Sequence, residues 1–300
     1  MHTLRTAYVS LCIYTLFSIS PLLAQEGTPD TVKPWTTGGN VGINFNQVAL
    51  SNWAGGGDNT FAIGGVLSLV GDYNKGKSHW SNQLGAGYGF TKVTDQDLRK
   101  SDDKLTLVSK FDHNATSTLL YSAILDFRTQ FTEGLDYKTL DSAGEPARIS
   151  TFLAPGYLNV GLGATWKPKE YFEFLIAPLS NRLIIVLDDD LSAAGAFGLD
   201  PGKKVKSELG ASSRAQFQKE IMENVNLGSK LNLFAPYADI TTIVVNWETL
   251  IAMKVNDYIT TSISFDVIYD EQVDITRDDG TVGPATQVKE ALNVGFGYVF

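Results

Sequence analysis

The last ten residues of the chain alternate strictly between two kinds of side chain. Side chains of an extended strand point to opposite faces with a period of two. One face is therefore apolar and ends in aromatic rings, with Leu292, Val294, Phe296, Tyr298 and Phe300. The opposite face is small or polar, with Ala291, Asn293, Gly295 and Gly297, and Val299 is its one large apolar residue. The pattern predicts a β-strand between an apolar environment and a polar one.

This terminal segment resembles the closing strand of bacterial outer-membrane β-barrels, which typically ends the polypeptide on Phe and serves as the assembly signal. The resemblance implies that Phe296, Tyr298 and Phe300 form that signal. It also implies that the barrel-assembly machinery is a partner during biogenesis, and that the protein lies in the cell outer membrane.

The N-terminus has the pattern of a secretory signal peptide. Arg5 precedes an apolar stretch over residues 7–19, and a small residue, Ala24, marks the predicted cleavage site. The stretch is too short for a transmembrane helix, which needs about 20 apolar residues. We therefore predict a signal peptide over residues 1–24, a short periplasmic segment over 25–36 and a barrel over 37–300. Cys12, the only cysteine, lies in the removed segment, so the mature chain would have neither disulfides nor cysteine metal ligands.

The bulk composition excludes one class of partner and is compatible with a membrane barrel. The formal net charge of −9 argues against nucleic acid, which requires a basic surface. The mean hydropathy is close to zero. In a barrel, lipid-facing and lumen-facing residues alternate, so their hydropathies cancel.

From Gly38 onward, alternating segments are separated by polar turns typical of hairpins. Short turns and longer connections alternate along the chain, as they do in transmembrane barrels. The interpretation is an all-β protein: a single transmembrane antiparallel β-barrel of about twelve strands with periplasmic termini. A proline, Pro178, interrupts the seventh strand. The predicted strands are 38–50, 59–74, 77–93, 102–114, 116–131, 148–167, 170–187, 204–221, 223–236, 239–254, 257–271 and 286–300.

Charged residues are segregated to one face of these strands. A Lys or Arg facing the bilayer midplane costs about 2–4 kcal/mol, so the apolar face should contact outer-membrane lipid and the charged face should line the lumen. Besides Lys104, the predicted lumen-facing residues are Lys110, Asp112, Asp126, Arg128, Glu208, Arg214, Lys230, Glu248, Lys254 and Asp266. Both signs occur, which predicts ion pairs across the interior.

Aromatic residues cluster near the predicted periplasmic turns. Rings at the lipid headgroup level form such belts in membrane proteins. The predicted belt comprises Tyr73, Trp80, Phe111, Tyr121, Trp166, Tyr171, Tyr258, Tyr298 and Phe300.

The segment from Trp35 to Asn59 contains Gly38-Gly39, Ser51-Asn52-Trp53-Ala54 and Asp58-Asn59. It resembles the signature of a Bacteroidota family of predicted outer-membrane proteins whose domain has no known function. The resemblance implies a fold and a membrane, but no activity. Two interpretations of its loop remain open. It either forms a tight connection between the first two strands, or it folds into the barrel mouth as a plug made of Trp53, Gly55, Gly56, Gly57 and Asp58.

Catalytic and metal-binding interpretations have weak support. Only His79 and His113 remain after signal cleavage, and both lie beside predicted periplasmic turns, whereas lipid-acting barrel enzymes place their Ser and His near the outer leaflet. Two acidic segments lie in predicted outer loops, residues 188–190 and residues 274–280 with Asp274, Asp278 and Asp279, and neither matches a spaced calcium loop. We predict no catalytic residue, no metal and no cofactor.

Two function classes follow. The first is a non-enzymatic barrel, either a narrow channel for small polar solutes or a barrel closed by its own side chains. Both remain open because twelve strands lie between eight, whose interior side chains just fill, and sixteen, whose interior leaves a channel. The second is an accessory or scaffold subunit that binds an envelope protein partner. A lipid-acting enzyme is a third and weaker alternative.

Overall fold

A computed structural model of the chain describes residues 33–49, 58–94, 96–140, 143–256, 258–277 and 281–300. The predicted signal peptide, most of the predicted periplasmic segment, and Trp53, Gly55, Gly56 and Gly57 of the predicted plug lie outside the described residues. No helix in the described part of the chain is long and apolar enough to cross a bilayer.

Twelve antiparallel strands close into one barrel, which confirms the predicted fold class and strand number. The barrel strands are β1 (Trp35–Val48), β2 (Thr60–Lys75), β3 (Ser78–Val93), β4 (Arg99–Asn114), β5 (Leu119–Thr129), β8 (Gly156–Lys169), β9 (Phe172–Ile185), β10 (Val205–Met222), β11 (Val225–Pro236), β12 (Val244–Lys254), β13 (Ile259–Asp270) and β16 (Gln287–Val299). Their order around the ring is β1-β16-β13-β12-β11-β10-β9-β8-β5-β4-β3-β2.

All strands run up and down between two ends of the barrel. At the end that we call the turn end, neighbouring strands join through short turns, and both β1 begins and β16 ends there. Two of these turns place a residue at positive φ, Gly76 (60°) and Asn224 (62°), residue types that tolerate this conformation. The opposite end, which we call the loop end, carries the long connections.

The long connections contain structure that the sequence pattern did not predict. The connection after β5 forms a hairpin from β6 (Gly134–Leu140) and β7 (Pro146–Ser150). Helix α1 (Asp189–Ala193) and a 3₁₀ turn (Ala196–Gly198) follow β9, and β14 (Asp274–Thr276) pairs with β15 (Val282–Pro284). A small core of Ala154, Ile184, Val186 and Leu199 orders the loop end above β8 and β9.

The predicted break at Pro178 is instead a bulge within a continuous strand. On β10, Gly210 pairs with Ser180 and Ser212 pairs with Ala177, so two residues of β9 oppose one of β10. Because Pro lacks a backbone N–H, a bulge is one of the few places where a sheet tolerates it. The extra residue reverses the inward and outward alternation, so Glu173 and Arg182 lie on the same face of the sheet.

The outer surface of the barrel is apolar. Ile43, Phe45, Leu162, Ile176 and Leu179 are each at least 41% exposed, as are many other large apolar side chains on the same face. At the turn end, Trp35 packs against Tyr73 and Trp80 with ring centroids 5.3 and 5.6 Å apart. An apolar band with aromatic residues near its edge is the surface that a bilayer requires.

Phe300 closes the barrel at the turn end. Its backbone N–H donates to the carbonyl of Gly39 and its carbonyl accepts from the Gly39 N–H, both at 2.9 Å. Deleting Phe300 should remove both bonds, each worth about 1 kcal/mol, and lower the urea midpoint of the detergent-solubilised barrel. The control is Phe300→Leu, which keeps both bonds and should keep the midpoint. An unchanged midpoint after the deletion would show that these bonds do not stabilise the closure.

Candidate functional site

The candidate site is the interior of the barrel. Charged residues on non-neighbouring strands form ion pairs with one another, and in a closed barrel such pairs must cross the interior. The strand register then assigns all remaining strand residues to the interior or to the outer face, because directly paired residues share a face. The interior lining therefore follows from the ion pairs and the ladders together.

One ion pair spans the full width of the lumen. Lys104 on β4 donates to Glu248 on β12 at 3.2 Å. These two strands stand opposite each other, with five strands between them in either direction around the ring. The Lys104–Glu248 bridge divides the interior into two halves. We call the half lined by β5, β8, β9, β10 and β11 the filled sector, and the half lined by β13, β16, β1, β2 and β3 the open sector.

Glu248 is the centre of this bridge. Besides Lys104, it accepts hydrogen bonds from Arg128 on β5 at 3.2 Å and from Lys230 on β11 at 2.9 Å. The Glu248 side chain is 23% exposed. Three cations therefore converge on one carboxylate in a region that is only partly hydrated, where charge interactions exceed those in bulk water.

Charged groups pack the filled sector tightly. Asp126 pairs with Arg128 at 3.0 Å and with Arg214, and Lys110 donates to Glu173 at 2.9 Å. Lys110 also lies 3.2 Å from Asp112. The side chains of Lys110, Asp126 and Arg214 are at most 8% exposed. Buried charges persist only when they are paired, and these pairs close the filled sector.

A second group of ion pairs lies nearer the loop end and joins the filled sector to β13 at the edge of the open sector. Arg182 on β9 pairs with Asp270 on β13 and with Glu208 on β10, the latter at 3.4 Å. Lys206 also lies 3.1 Å from Glu208. Arg182 has a side-chain exposure of 4%, so this layer also excludes water.

The open sector differs, because its interior side chains contact solvent near the middle of the strands. Val66 on β2 pairs with the interior-facing residues Gly42 and Gly87 and is 41% exposed. Leu250, which lies on the dividing strand β12 and pairs with Ser264 of the open sector, is 46% exposed. By contrast, the interior Leu175 in the filled sector is 2% exposed. The lumen is therefore open on one side of the Lys104–Glu248 bridge and closed on the other.

Small and neutral residues line most of the open sector. Its interior positions include Gly38, Gly42, Ser68, Gly85, Ser262, Ala291 and Gly297. Small residues leave volume that long side chains occupy in the filled sector.

A second bridge crosses the open sector nearer the loop end. Lys289 on β16 donates to Asp102 on β4 at 2.6 Å, over the three strands between them. Gly87 lies beneath the bridge, since a Cβ at this position would be 2.9 Å from Asp102 Oδ2. The Lys289 and Asp102 side chains are 51% and 40% exposed. This bridge narrows the open sector without sealing it.

Eleven residues were predicted to face the lumen, and nine of them take part in the ion-pair networks described above: Lys104, Lys110, Asp112, Asp126, Arg128, Glu208, Arg214, Lys230 and Glu248. Asp266 pairs with Glu248 in the ladder and so shares its face. Lys254 lies on the same face at the turn end of β12, where it is exposed. Asp58, the described member of the predicted plug, is exposed two residues before the start of β2.

Sequence reasoning missed six interior residues of these networks: Asp102, Glu173, Arg182, Lys206, Asp270 and Lys289. Strict alternation assigns Glu173 and Arg182 to opposite faces of one strand, whereas the bulge at Pro178 brings them to the same face. The proline was the available signal, because it marks a bulge in an otherwise regular strand.

Two acidic residues in the loops have lowered pKa values. Asp189, in α1, accepts a hydrogen bond from Lys204, which lowers the pKa of its carboxyl group. The side-chain and backbone hydrogen bonds from Thr241 lower the pKa of Asp239. Both carboxylates stabilise local loop structure at neutral pH. The described residues contain no cluster of acidic and His side chains able to hold a metal ion.

The two histidines lie at the turn end. His113 Nδ1 is 3.2 Å from the Ser78 hydroxyl on the neighbouring strand, and His79 contacts Asn74. In the described residues, no carboxylate forms a hydrogen bond with His113. The Ser78–His113 pair thus lacks the third group that orients the base in a Ser-His-acid triad.

A closed barrel with an apolar outer surface and a charged, partly hydrated interior defines an outer-membrane-type β-barrel protein. The fold places the chain in the outer membrane. Residues 45–135 match a family described as "Protein of unknown function (DUF3078)". No curated protein matches the chain.

Three solved barrels are similar to this chain. The COG4313 outer membrane channel from Pseudomonas putida F1 has 11% identity and a TM-score of 0.40, covering 92% of this chain and 100% of that one. The translocator domain of the autotransporter NalP from Neisseria meningitidis has 11% identity and a TM-score of 0.38, covering 89% and 87%. The NanC porin has 10% identity and a TM-score of 0.38, covering 87% and 98%. The class of this protein rests on its strand pairing and surface, and not on these distant likenesses.

Proposed function

We propose that this protein is a narrow, non-enzymatic channel for small polar solutes, with its path displaced into the open sector. The observation that supports the proposal best is the exposure of two interior side chains, Val66 (41%) and Leu250 (46%), near the middle of their strands. A barrel closed by its own side chains would leave such residues buried, as Leu175 is in the filled sector.

The electrostatics of the open sector favour weak selectivity. Its bridges, Lys104–Glu248 and Lys289–Asp102, each combine one positive and one negative group. A strongly ion-selective pore usually has one sign of charge at its constriction. The proposed solutes are therefore small polar molecules that pass between paired charges.

Substituting Val66 tests the path directly. Val66→Trp should fill the open sector and lower the unitary conductance in planar bilayers several-fold, because the indole ring replaces a solvent-exposed isopropyl group. The matched control is Leu67→Trp, one residue away on the outer, lipid-facing side, which should leave conductance unchanged. Equal conductance in both variants would place the path elsewhere, and the absence of any ion steps in the parent protein would contradict the channel itself.

The alternative, a scaffold or accessory subunit, is favoured by the ordered loop end. Arg148 from β7 forms ion pairs with Asp188, the N-cap residue of α1, and with Asp190 inside α1, at 3.1 and 2.7 Å, and these pairs join two long connections. A rigid external surface of this kind suits binding to another envelope protein. Pull-down from native membranes, followed by mass spectrometry, would favour this alternative if a stoichiometric partner accompanied an electrically silent barrel.

Two further proposals concern origin and biogenesis. The family match at residues 45–135 supports membership of the Bacteroidota family whose signature the N-terminal segment resembles. We also propose that the barrel-assembly machinery recognises Phe296, Tyr298 and Phe300, whose side chains are 58–67% exposed on the outer surface.

A further inference from the structure

The junction between β1 and β16, where the barrel closes, is paired along only part of its length. Within the described residues, the β1–β16 ladder runs from Asn40↔Val299 to Asn44↔Gly295 and ends there. Both strands continue toward the loop end with regular ladders on their other sides. β1 pairs with β2 as far as Val48, and β16 pairs with β13 back to Gln287. Among the described residues, 45–48 and 291–294 therefore form two strand edges that no ladder joins.

Apolar side chains border this gap on the outer face of the barrel. Leu292 and Val294 on β16 are 68% and 56% exposed, and Phe45 on β1 is 51% exposed. Ile43 and Phe296, which pair with each other in the closed part of the junction, are exposed to a similar extent, at 55% and 67%. The feature that distinguishes the gap is therefore the end of the β1–β16 ladder, and its outer rim is apolar.

An unpaired edge cannot face dry hydrocarbon. Each unsatisfied backbone group in the bilayer core costs several kcal/mol, so this gap must be occupied by water or by polar groups. The gap opens inward on Asn46 and Asn293 and on the water-accessible open sector, which contains Val66. One side of the gap is therefore apolar and the other is hydrated.

We propose that the gap between β1 and β16 is a lateral opening through which uncharged amphiphiles pass between the membrane and the open sector. This inference rests on the proposed channel and adds a second entrance to it. The apolar tail would lie between Phe45 and Leu292, while the polar head would contact the amides of Asn46 and Asn293. Lys289, the nearest cation on β16, is already paired with Asp102, so the lining favours an uncharged head over an anionic one.

Continuation of the register defines how the opening could be closed. If the observed register continued, Asn46 would lie opposite Asn293. Hydrogen-bonded and non-hydrogen-bonded pairs alternate along an antiparallel ladder. Since Gly39 and Phe300 form a hydrogen-bonded pair, positions 46 and 293 would form a non-hydrogen-bonded one. Cysteines at positions 46 and 293 would therefore bridge the gap. Positions 40 and 299 belong to the same class within the paired segment and provide a matched control. All variants would carry Cys12→Ser.

The first measurement is the rate of disulfide formation in proteoliposomes. Asn40→Cys with Val299→Cys should oxidise rapidly, and Asn46→Cys with Asn293→Cys should oxidise much more slowly, because those strands are apart. Equal rates would show that the junction is fully paired in the membrane and would overturn the proposal.

The second measurement uses a diazirine-labelled decanol as the uncharged amphiphile. After photolysis, mass spectrometry should find adducts on the interior residues Val66 and Leu250 in the reduced 46/293 variant. Bridging these cysteines, by oxidation or by a short bismaleimide where a disulfide cannot form, should abolish interior adducts and leave adducts on the outer residue Leu67. Bridging the 40/299 control should change neither.

Interior adducts that persist after the 46/293 bridge, or that never form in the reduced protein, would overturn the lateral opening. Unitary conductance measured on the same samples separates the two proposals, since ions follow the barrel axis and should be unaffected by the bridge. A protein without conductance but with bridge-sensitive labelling would contradict the channel and retain the lateral opening.

Discussion

Replacing Glu248 with glutamine is expected to raise the unitary conductance and to shift the ionic preference toward anions. Glu248 holds Lys104, Arg128 and Lys230 at 3.2, 3.2 and 2.9 Å. Glutamine has nearly the same volume but no charge, so the ion pair that Lys104 forms across the lumen is lost. Lys104 is 47% exposed and would then move with the solvent.

The shift in selectivity follows from the removed charge. A unit charge at about 4 Å is worth about 1 kcal/mol in bulk water and more in a confined lumen. The anion-to-cation permeability ratio should therefore rise by at least about fivefold. Reversal potentials measured in a salt gradient would test this expectation, and an unchanged or more cation-selective reversal potential would contradict it.

A matched variant separates the open sector from the filled one. Glu208→Gln also removes one carboxylate bound by cations, Arg182 and Lys206, but lies in the filled sector. It should leave conductance and selectivity close to those of the parent. Both variants should lose stability, since breaking a buried ion pair costs about 3–5 kcal/mol, with less expected at Glu248 because water partly screens it.

Gly163→Ala is expected to prevent formation of a stable barrel. Gly163 on β8 faces the bulge in β9, where Leu162 pairs with Leu179 and Ala164 with Ile176. A Cβ at position 163 would lie 1.9 Å from the carbonyl oxygen of Ile176 and 2.6 Å from Cα of Ala177. Both are backbone atoms, so no rotamer change can relieve the overlap. The substitution should cost about 3 kcal/mol or more, at the upper end of overpacking effects.

Heat modifiability on gels and the urea midpoint in detergent would measure this loss. The control is Gly228→Ala, another interior glycine, where the nearest atom to an added Cβ is 4.0 Å away, the carbonyl oxygen of Leu250. This control should fold normally. A folded Gly163→Ala barrel with the parent's midpoint would show that the bulge can move away from β8.

The sequence predicted the barrel because its information is local and repetitive. Alternation over each segment, as in residues 291–300, depends only on the period of an extended chain. Turn residues such as Gly76 and Asn224 depend only on backbone conformation. Local patterns therefore predicted the number of strands, their order along the chain and their apolar faces without any knowledge of tertiary contacts.

The same alternation predicted eleven interior charges but not their partners. Lys104 and Glu248 are separated by 144 positions in sequence, and no local pattern indicates which opposite strand a side chain will reach. The bulge at Pro178 is an intermediate case. The proline was visible in the sequence, but its consequence for Glu173 and Arg182 depended on where β8 and β10 paired with β9.

By itself, the sequence determined a membrane barrel of twelve strands with a charged interior, because hydrogen bonding within a bilayer permits few backbone arrangements. Only the tertiary structure decided how that interior is divided. Closing the ring brings β4 opposite β12 and β1 beside β16. The first of these contacts forms the Lys104–Glu248 bridge and so separates the open sector from the filled one. The second forms the β1–β16 ladder, which ends at Asn44 and Gly295.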